Sequence, residues 1–200
     1  LRVINRKSSF EFRDSKDDAK TIAARLGVSH LLEGSVRRVG DTVRVSATLT
    51  KAADGSTLWV ESFDRPYKDL FALQDQITSQ VATALKSKLQ PVTSPKAQSD
   101  RPPSENLEAY DAYMAARSAT LLDDAVKRYD RAIQLDPNYA LAYAWKARML
   151  VDTLAGGVLS GEQAEEAFAQ ADAAIVEAMR LAPNQASTRI ARGYLLMQRD

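Results

Sequence analysis

Along the first 90 residues the apolar positions follow two different periods. In Leu31–Val39, Leu32, Gly34 and Val36 alternate with Glu33, Ser35 and Arg37. In Thr42–Thr50, Val43, Val45, Ala47 and Leu49 alternate with Arg44, Ser46 and Thr48. A period of two buries one strand face and solvates the other, which predicts an antiparallel sheet. Gly40-Asp41 predicts a tight hairpin between these strands, and Asp54-Gly55 a second turn into a third strand, Thr57–Phe63. Leu1–Ile4 reads as a further short strand. Asp17–Leu26 reads as a helix with Ile22, Ala23 and Leu26 on one face and Gly27 as its stop signal. From Leu70 to about Leu89 the stripe Leu70, Leu73, Ile77, Val81, Ala84 and Leu85 predicts a helix on the sheet's buried face.

Four of the seven prolines (Pro91, Pro95, Pro102 and Pro103) fall within residues 91–104. In that stretch Val92 alone is both larger than alanine and suited to a core. It reads as an extended linker between an α/β domain, residues 1–90, and a helical domain, residues 105–200. Helices are expected at 105–118, 121–135, 139–153, 162–181 and 186–199. Gly156-Gly157 marks a longer loop, and Ser160-Gly161-Glu162-Gln163 fits a capping box. One punctuation occurs twice, as Leu135-Asp136-Pro137-Asn138 and Leu181-Ala182-Pro183-Asn184. Each ends an alanine-rich helical stretch and is followed at once by another.

Upstream of Pro137 stand Ala125, Tyr129 and Ala132; at the same offsets before Pro183 stand Ala171, Ile175 and Ala178. The helices that follow carry Tyr143, Ala147 and Leu150, then Gly193 and Leu196. Small residues let antiparallel helices approach, bulky ones fill the gaps between, and proline closes the second helix of the pair. This spacing resembles the tetratricopeptide repeat (TPR), and the expected fold class is an α+β domain followed by an all-α array of TPR helices. Pro137 and Pro183 are 46 residues apart, 12 more than the 34-residue unit. The Val151–Glu162 loop and longer flanking helices take up the excess. The opening helix Leu107–Arg117 fits the pattern poorly, with Tyr113 where a small residue belongs. Ala186–Arg199 is half a repeat, so the array is expected to run on past Asp200 and to expose apolar surface at that end.

A second resemblance covers residues 1–90. It is carried by Leu1–Phe10, Ile22–Val28, Leu32–Arg37, Gly40–Val45, Leu58–Arg65 and Leu70–Asp75. Together these are similar to the TolB-amino-terminal-like domain. Such domains precede TPR arrays downstream of the catalytic domain in bacterial class III adenylate/guanylate cyclases, and also follow winged-helix DNA-binding domains in some transcriptional activators. The family begins with another strand and helix that this chain lacks. That implies an unpaired sheet edge and a homodimer, or a borrowed strand, through it.

Composition adds mostly exclusions. Apolar content of 45%, charged content of 26% and a net charge of +1 fit a globular chain with no field to draw in nucleic acid. No apolar run reaches the ~20 residues of a membrane helix. Without cysteine, disulfides and thiolate metal sites are ruled out. Cytoplasm is favoured over periplasm as the compartment, and neither is decided by composition. His30 is the single histidine and reads as structural. No Walker loop or G-x-G-x-x-G occurs. Asp17-Asp18 and Asp123-Asp124 read as acidic helix starts, Arg37, Arg38 and Arg44 as a solvated sheet face, and Trp59 as a buried anchor. No catalytic residue, metal ligand or cofactor site is expected within the chain.

The TPR resemblance implies a protein or peptide partner on the concave face. Its residues would be Leu141, Ala144, Arg148 and Val151, then Ser187, Ile190, Tyr194 and Met197, with Arg148 suited to a partner carboxylate. The expected role is a non-catalytic interaction and regulatory region of a signalling protein. A class III cyclase is the leading parent and a winged-helix activator the alternative.

Overall fold

The computed structural model describes residues 3–85 and 100–198. The chain divides into two compact units, Leu1–Ser94 and Pro95–Asp200. Among the described residues it is an α+β protein with one three-stranded antiparallel sheet and eight α-helices. Leu1 and Arg2 of the expected first strand, Pro91 and Pro95 of the expected linker, the expected helix end near Leu89, and Arg199 lie outside the described residues. Val3 and Ile4 have irregular backbone rather than strand.

The first unit opens with α1 (Arg6–Phe10), a short helix that periodicity did not signal; Asn5 caps it by accepting from the Ser8 N–H at 3.0 Å. Helix α2 (Ala19–Leu26) starts at Asp18, whose carboxylate accepts from the Thr21 N–H at 2.7 Å. That bond holds Asp18 below the ordinary carboxylate range. Gly27 ends α2 at φ 65°, the left-handed conformation that a helix stop asks of glycine. Strands β1 (His30–Val39), β2 (Thr42–Lys51) and β3 (Thr57–Pro66) then form a meander in the order β1-β2-β3, each slightly longer than its hydrophobic run. After a 3-10 turn at Tyr67–Asp69 comes α3 (Leu70–Leu85).

Val43, Val45, Ala47 and Leu49 on one face of β2 are all buried, as the alternation requires. With Phe63 of β3, Val43 and Val45 pack on Leu73, and Trp59, Tyr67 and Ile77 lie partly buried around them. Helix α3 therefore covers β2 and β3. It does not cover β1, whose residues on the same face, Leu32 and Val36, are 55% and 73% exposed. At the strand's start Leu31 points the other way and packs with Ile22, Ala23 and Ala52 against α2. Gly34 sits where β1 and β2 come closest, for a Cβ built there would lie 2.3 Å from the Ser46 carbonyl oxygen.

The second unit is helical: α4 (Leu107–Ser118), α5 (Leu122–Leu135), α6 (Ala140–Ala155), α7 (Glu162–Leu181) and α8 (Ala186–Met197). Helices α4 and α5 pack as a pair, as do α6 and α7, and α6 also packs on α5 and α8. Alanine makes most of the crossings: Ala109, Ala125, Ala132, Ala142, Ala147, Ala171 and Ala178 are fully buried. Between α4, α5 and α6 the Tyr113 ring lies 4.9 Å from that of Tyr139 and 6.2 Å from that of Tyr129. Asp136, buried just after α5, accepts from the Asn138 N–H at 3.0 Å and from the N–H and Oγ of Ser104 at 3.0 and 2.7 Å. Pro102 is fully buried, so the stretch before α4 packs into the helical unit. The expected capping box at α7 does not form. Gly161 is its N-cap, at φ 55°, and no side chain caps that end. A residue with no side chain cannot supply the capping oxygen.

Two predictions test this packing. Gly34→Ala drives a methyl group into the β2 backbone and should destabilise the first unit by about 1–3 kcal/mol, read from urea midpoints. In the second unit burial pushes Tyr129 up to about 12 and moves Tyr113 and Tyr139 in the same direction. Unfolded tyrosine ionises near its ordinary 10.0. Above that pH the unfolded chain releases protons that the native state still holds. Stability is therefore complete below pH 10 and falls as pH rises towards about 12. Urea midpoints followed by tyrosinate absorbance should drop through this window; a flat profile would contradict the burial of these rings.

Candidate functional site

The eight residues expected on the concave face divide by helix. On α6, Leu141, Ala144 and Val151 are buried, because α5, α7 and α8 all pack around that helix. Arg148 remains half-buried. Its Nε donates to both carboxylate oxygens of Asp152, at 2.7 and 2.8 Å, one turn along the same helix. Its guanidinium also lies 3.8 Å from the centre of the Tyr194 ring on α8. On α8, Ser187 is half-buried, whereas Ile190, Tyr194 and Met197 are exposed. Their spacing of four and three residues lines them up on one face of the helix.

The structure thus brings together Arg148, Asp152 and Tyr194, leaves Ile190 and Met197 on the same face of α8 as Tyr194, and withdraws Leu141, Ala144 and Val151 into the core. Asp152 was not anticipated, although its place four residues after Arg148 is the ion-pair spacing of a helix. The consequence is chemical. A partner carboxylate reaching Arg148 meets a guanidinium already shared with Asp152 and stacked on Tyr194. What the surface offers directly is an apolar row, Ile190, Tyr194 and Met197, bounded by a balanced charge pair. Leu196, 47% exposed, extends the open apolar surface of α8 beyond that row.

A second concavity, about 290 Å³, opens between α5 and α7 beside the long loop. Leu122, Val126, Leu150 and Leu159 form its apolar lining, with Asp123, Lys127 and Glu166 among its polar residues. In the first unit a hollow of about 670 Å³ is lined by Val28, Ala52, Leu58 and Leu85 together with Lys20, His30 and Lys51. The Nδ1 atom of His30 is 3.0 Å from the Ser29 hydroxyl. Among the described residues no group of three or more histidines and carboxylates is placed to hold a metal ion. No helix among them is long and apolar enough to cross a membrane.

Of the three arginines expected on one sheet face, Arg38 separates from the other two. Arg44 makes a two-bond contact with Asp64, at 2.7 and 3.1 Å, which holds Asp64 below its usual range. Arg38 lies on the other face, 3.5 Å from the Tyr67 ring centre, and donates to the Gly40 carbonyl. Arg37 stands directly opposite Arg44 in the ladder.

No family model matches the chain. Among curated proteins it is similar to "Putative adenylate cyclase 3" of Rhizobium meliloti (strain 1021), with 34% identity over 150 residues. The match covers 72% of this chain and 25% of that protein, so the chain spans about a quarter of the length of the relative it matches.

The stacked pair of α6 and α8 makes its own prediction. Removing the ring in Tyr194→Ala should lower the helical unit's stability by about 0.5–1 kcal/mol, the worth of an exposed cation–π contact. Urea unfolding of the variant against the parent chain measures it; an unchanged midpoint would mean that Arg148 is held by Asp152 alone.

Proposed function

We propose that this chain is a non-catalytic interaction and regulatory region of a bacterial class III adenylate/guanylate cyclase, with a TolB-amino-terminal-like domain at residues 1–90 and TPR repeats at residues 105–200. The observation that carries the reading is the 34% identity, over most of this chain, to a protein described as an adenylate cyclase of which it matches only a quarter. A region of that extent leaves ample room in such a relative for a separate catalytic domain.

Support for the TPR part comes from the helix pairs. Ala125, Ala132, Ala147, Ala171 and Ala178 occupy the small positions of the repeat and are fully buried, while Tyr129, Leu150 and Ile175 fill the large ones. Pro137 and Pro183 follow the ends of α5 and α7, and α6 and α8 begin three residues later. Arrays of this kind work by holding other proteins. The face that serves here is the exposed row Ile190, Tyr194 and Met197 with Arg148 at its edge, and its partner is a protein or peptide segment with apolar side chains at matching spacing. No cofactor, no direct nucleic-acid contact and no membrane segment within the chain enter this reading.

The test uses the encoded protein at its full length. The reading frame upstream of Leu1 is expected to encode a cyclase catalytic domain with paired metal-binding aspartates. The 200-residue chain alone should form no cyclic nucleotide from ATP or GTP, while deleting it from the parent should change the parent's regulated rate. Arg148→Glu combined with Tyr194→Ala should abolish that regulation and leave basal turnover intact. Turnover by the isolated chain would refute the non-catalytic reading. A winged helix upstream would transfer the same module to a transcriptional activator.

A further inference from the structure

Helices α5 and α7 both pack on α6, and a proline stands two residues beyond the end of each. Their starts do not match. Helix α7 has 20 residues and α5 has 14. With the prolines aligned, Leu122 corresponds to Phe168, and residues 162–167 of α7 run on past the start of α5. The concavity of about 290 Å³ lies at this step. Leu122 and Val126 of α5 line it from one side and Ala167 of α7 from the other, and Leu150 of α6 and Leu159 of the following loop complete the apolar lining. Next to Leu122 and Leu159 in sequence, Leu121 and Val158 are 71% and 74% exposed. Every wall belongs to an element with further helices of the same unit before and after it.

Charge around this groove is uneven. Asp123 on α5 and Glu166 on α7 line it together with Lys127. Glu162, one turn before Glu166, continues the carboxylate row on the same face of α7. Among the described residues none of these four forms an ion pair, whereas the neighbouring Asp124 is taken by Arg128. Glu166 accepts from the side-chain amide of Gln170 at 3.1 Å. Asp123 and Glu162 suit the positive start of a helix. Glu166 lies beyond the first turn of α7 and has no such local reason.

From this we infer that the groove holds an amphipathic helix of another protein, one that presents aliphatic side chains at spacings of three and four residues, flanked by lysines or arginines. Recognition modes for a peptide are few. Helices and a loop wall the groove, so no strand can add to a sheet edge there. Polyproline segments need aromatic walls, and this lining is aliphatic. An acidic or phosphorylated segment, a nucleic acid or an anionic membrane would meet Asp123, Glu162 and Glu166. A helix laid into the apolar furrow is the mode that remains, and the open carboxylates set its charge. The groove shares no residue with the row on α8, and its occupant does not depend on which domain the reading frame encodes upstream.

The probe is a fluorescein-labelled helical peptide of alanine, lysine and leucine, with leucines at positions i, i+4 and i+7. Anisotropy should show saturable, micromolar binding to the whole chain. The same peptide with glutamate in place of lysine should bind about tenfold more weakly or worse. D123K/E166K should reverse this order, and its gain of the glutamate peptide excludes misfolding. Leu159→Ser should weaken the lysine peptide by about fivefold or more, while Tyr194→Ala should leave it unchanged. Amide shifts on adding the lysine peptide should centre on residues 122–127 and 163–170. The inference is overturned by a lysine peptide that does not saturate, by equal affinity for the two peptides, by indifference to D123K/E166K, or by loss of binding in Tyr194→Ala. A chain that associates with itself at these concentrations, and ceases to in Leu159→Ser, would give the groove to a second copy and overturn it equally.

Discussion

Packed helices lie with their axes about 8–10 Å apart, and they reach the short end of that range where small side chains meet. In the helical unit those meetings are made by alanine. Seven alanines with no exposure mark the crossings of α4 with α5 and of α6 with its neighbours. Enlarging one of them would cost about 1–3 kcal/mol in overpacking, so each crossing fixes its helices closely. The space left beside the alanines is filled by three tyrosine rings, and burial holds those rings neutral well above the pH at which free tyrosine ionises. The same tight packing decides which apolar residues stay open. A helix surrounded on three sides, as α6 is, has no apolar residues to spare. The open apolar row therefore lies on α8.

The sheet unit shows the opposite balance. One helix, α3, covers a face that three strands present, and its Leu73 and Ile77 reach Val43, Val45 and Phe63 but not Leu32 or Val36. Strand β2 is consequently a core strand with a buried face, while β1, of equal length and similar alternation, has none beyond Leu31. Its register on β2 is nonetheless held along all ten residues and is tightened by the close approach at Gly34. A strand so well aligned and so poorly covered is preorganised for another strand, since its backbone is already extended and needs no further ordering to pair.

How much of this was legible in the sequence depends on whether a signal is local. Alternation in Val43–Leu49, the glycine at 27, the Gly40-Asp41 turn and the two proline signals each act within a few residues, and the strands and helices they delimit stand within one to three residues of the expected bounds. Cover is not local. Leu32 and Val36 alternate as faithfully as Val43 and Val45, and only the reach of α3 distinguishes them. The capping box at Ser160 failed for a similar reason: four residues matched, but the backbone turned at Gly161 and took the capping position from Ser160. At the candidate site, repeat spacing alone could not say which of the eight residues the neighbouring helices would cover. Leu141, Ala144 and Val151 were lost to the core in that way. Asp152, one turn from Arg148, carries the ion-pair spacing of a helix, so the sequence alone offers Arg148 a carboxylate of its own chain.

The open surface of α8 calls for different physics from the core. In the proposed reading its recognition elements are side chains, so affinity rests on apolar area and on how completely a partner desolvates Tyr194 and Met197. The Arg148–Asp152 pair at its edge lies within one helix, and surface ion pairs are individually weak and screened by salt. Such a pair steers and orients a partner more than it holds one, so salt should slow association at this face before it speeds dissociation.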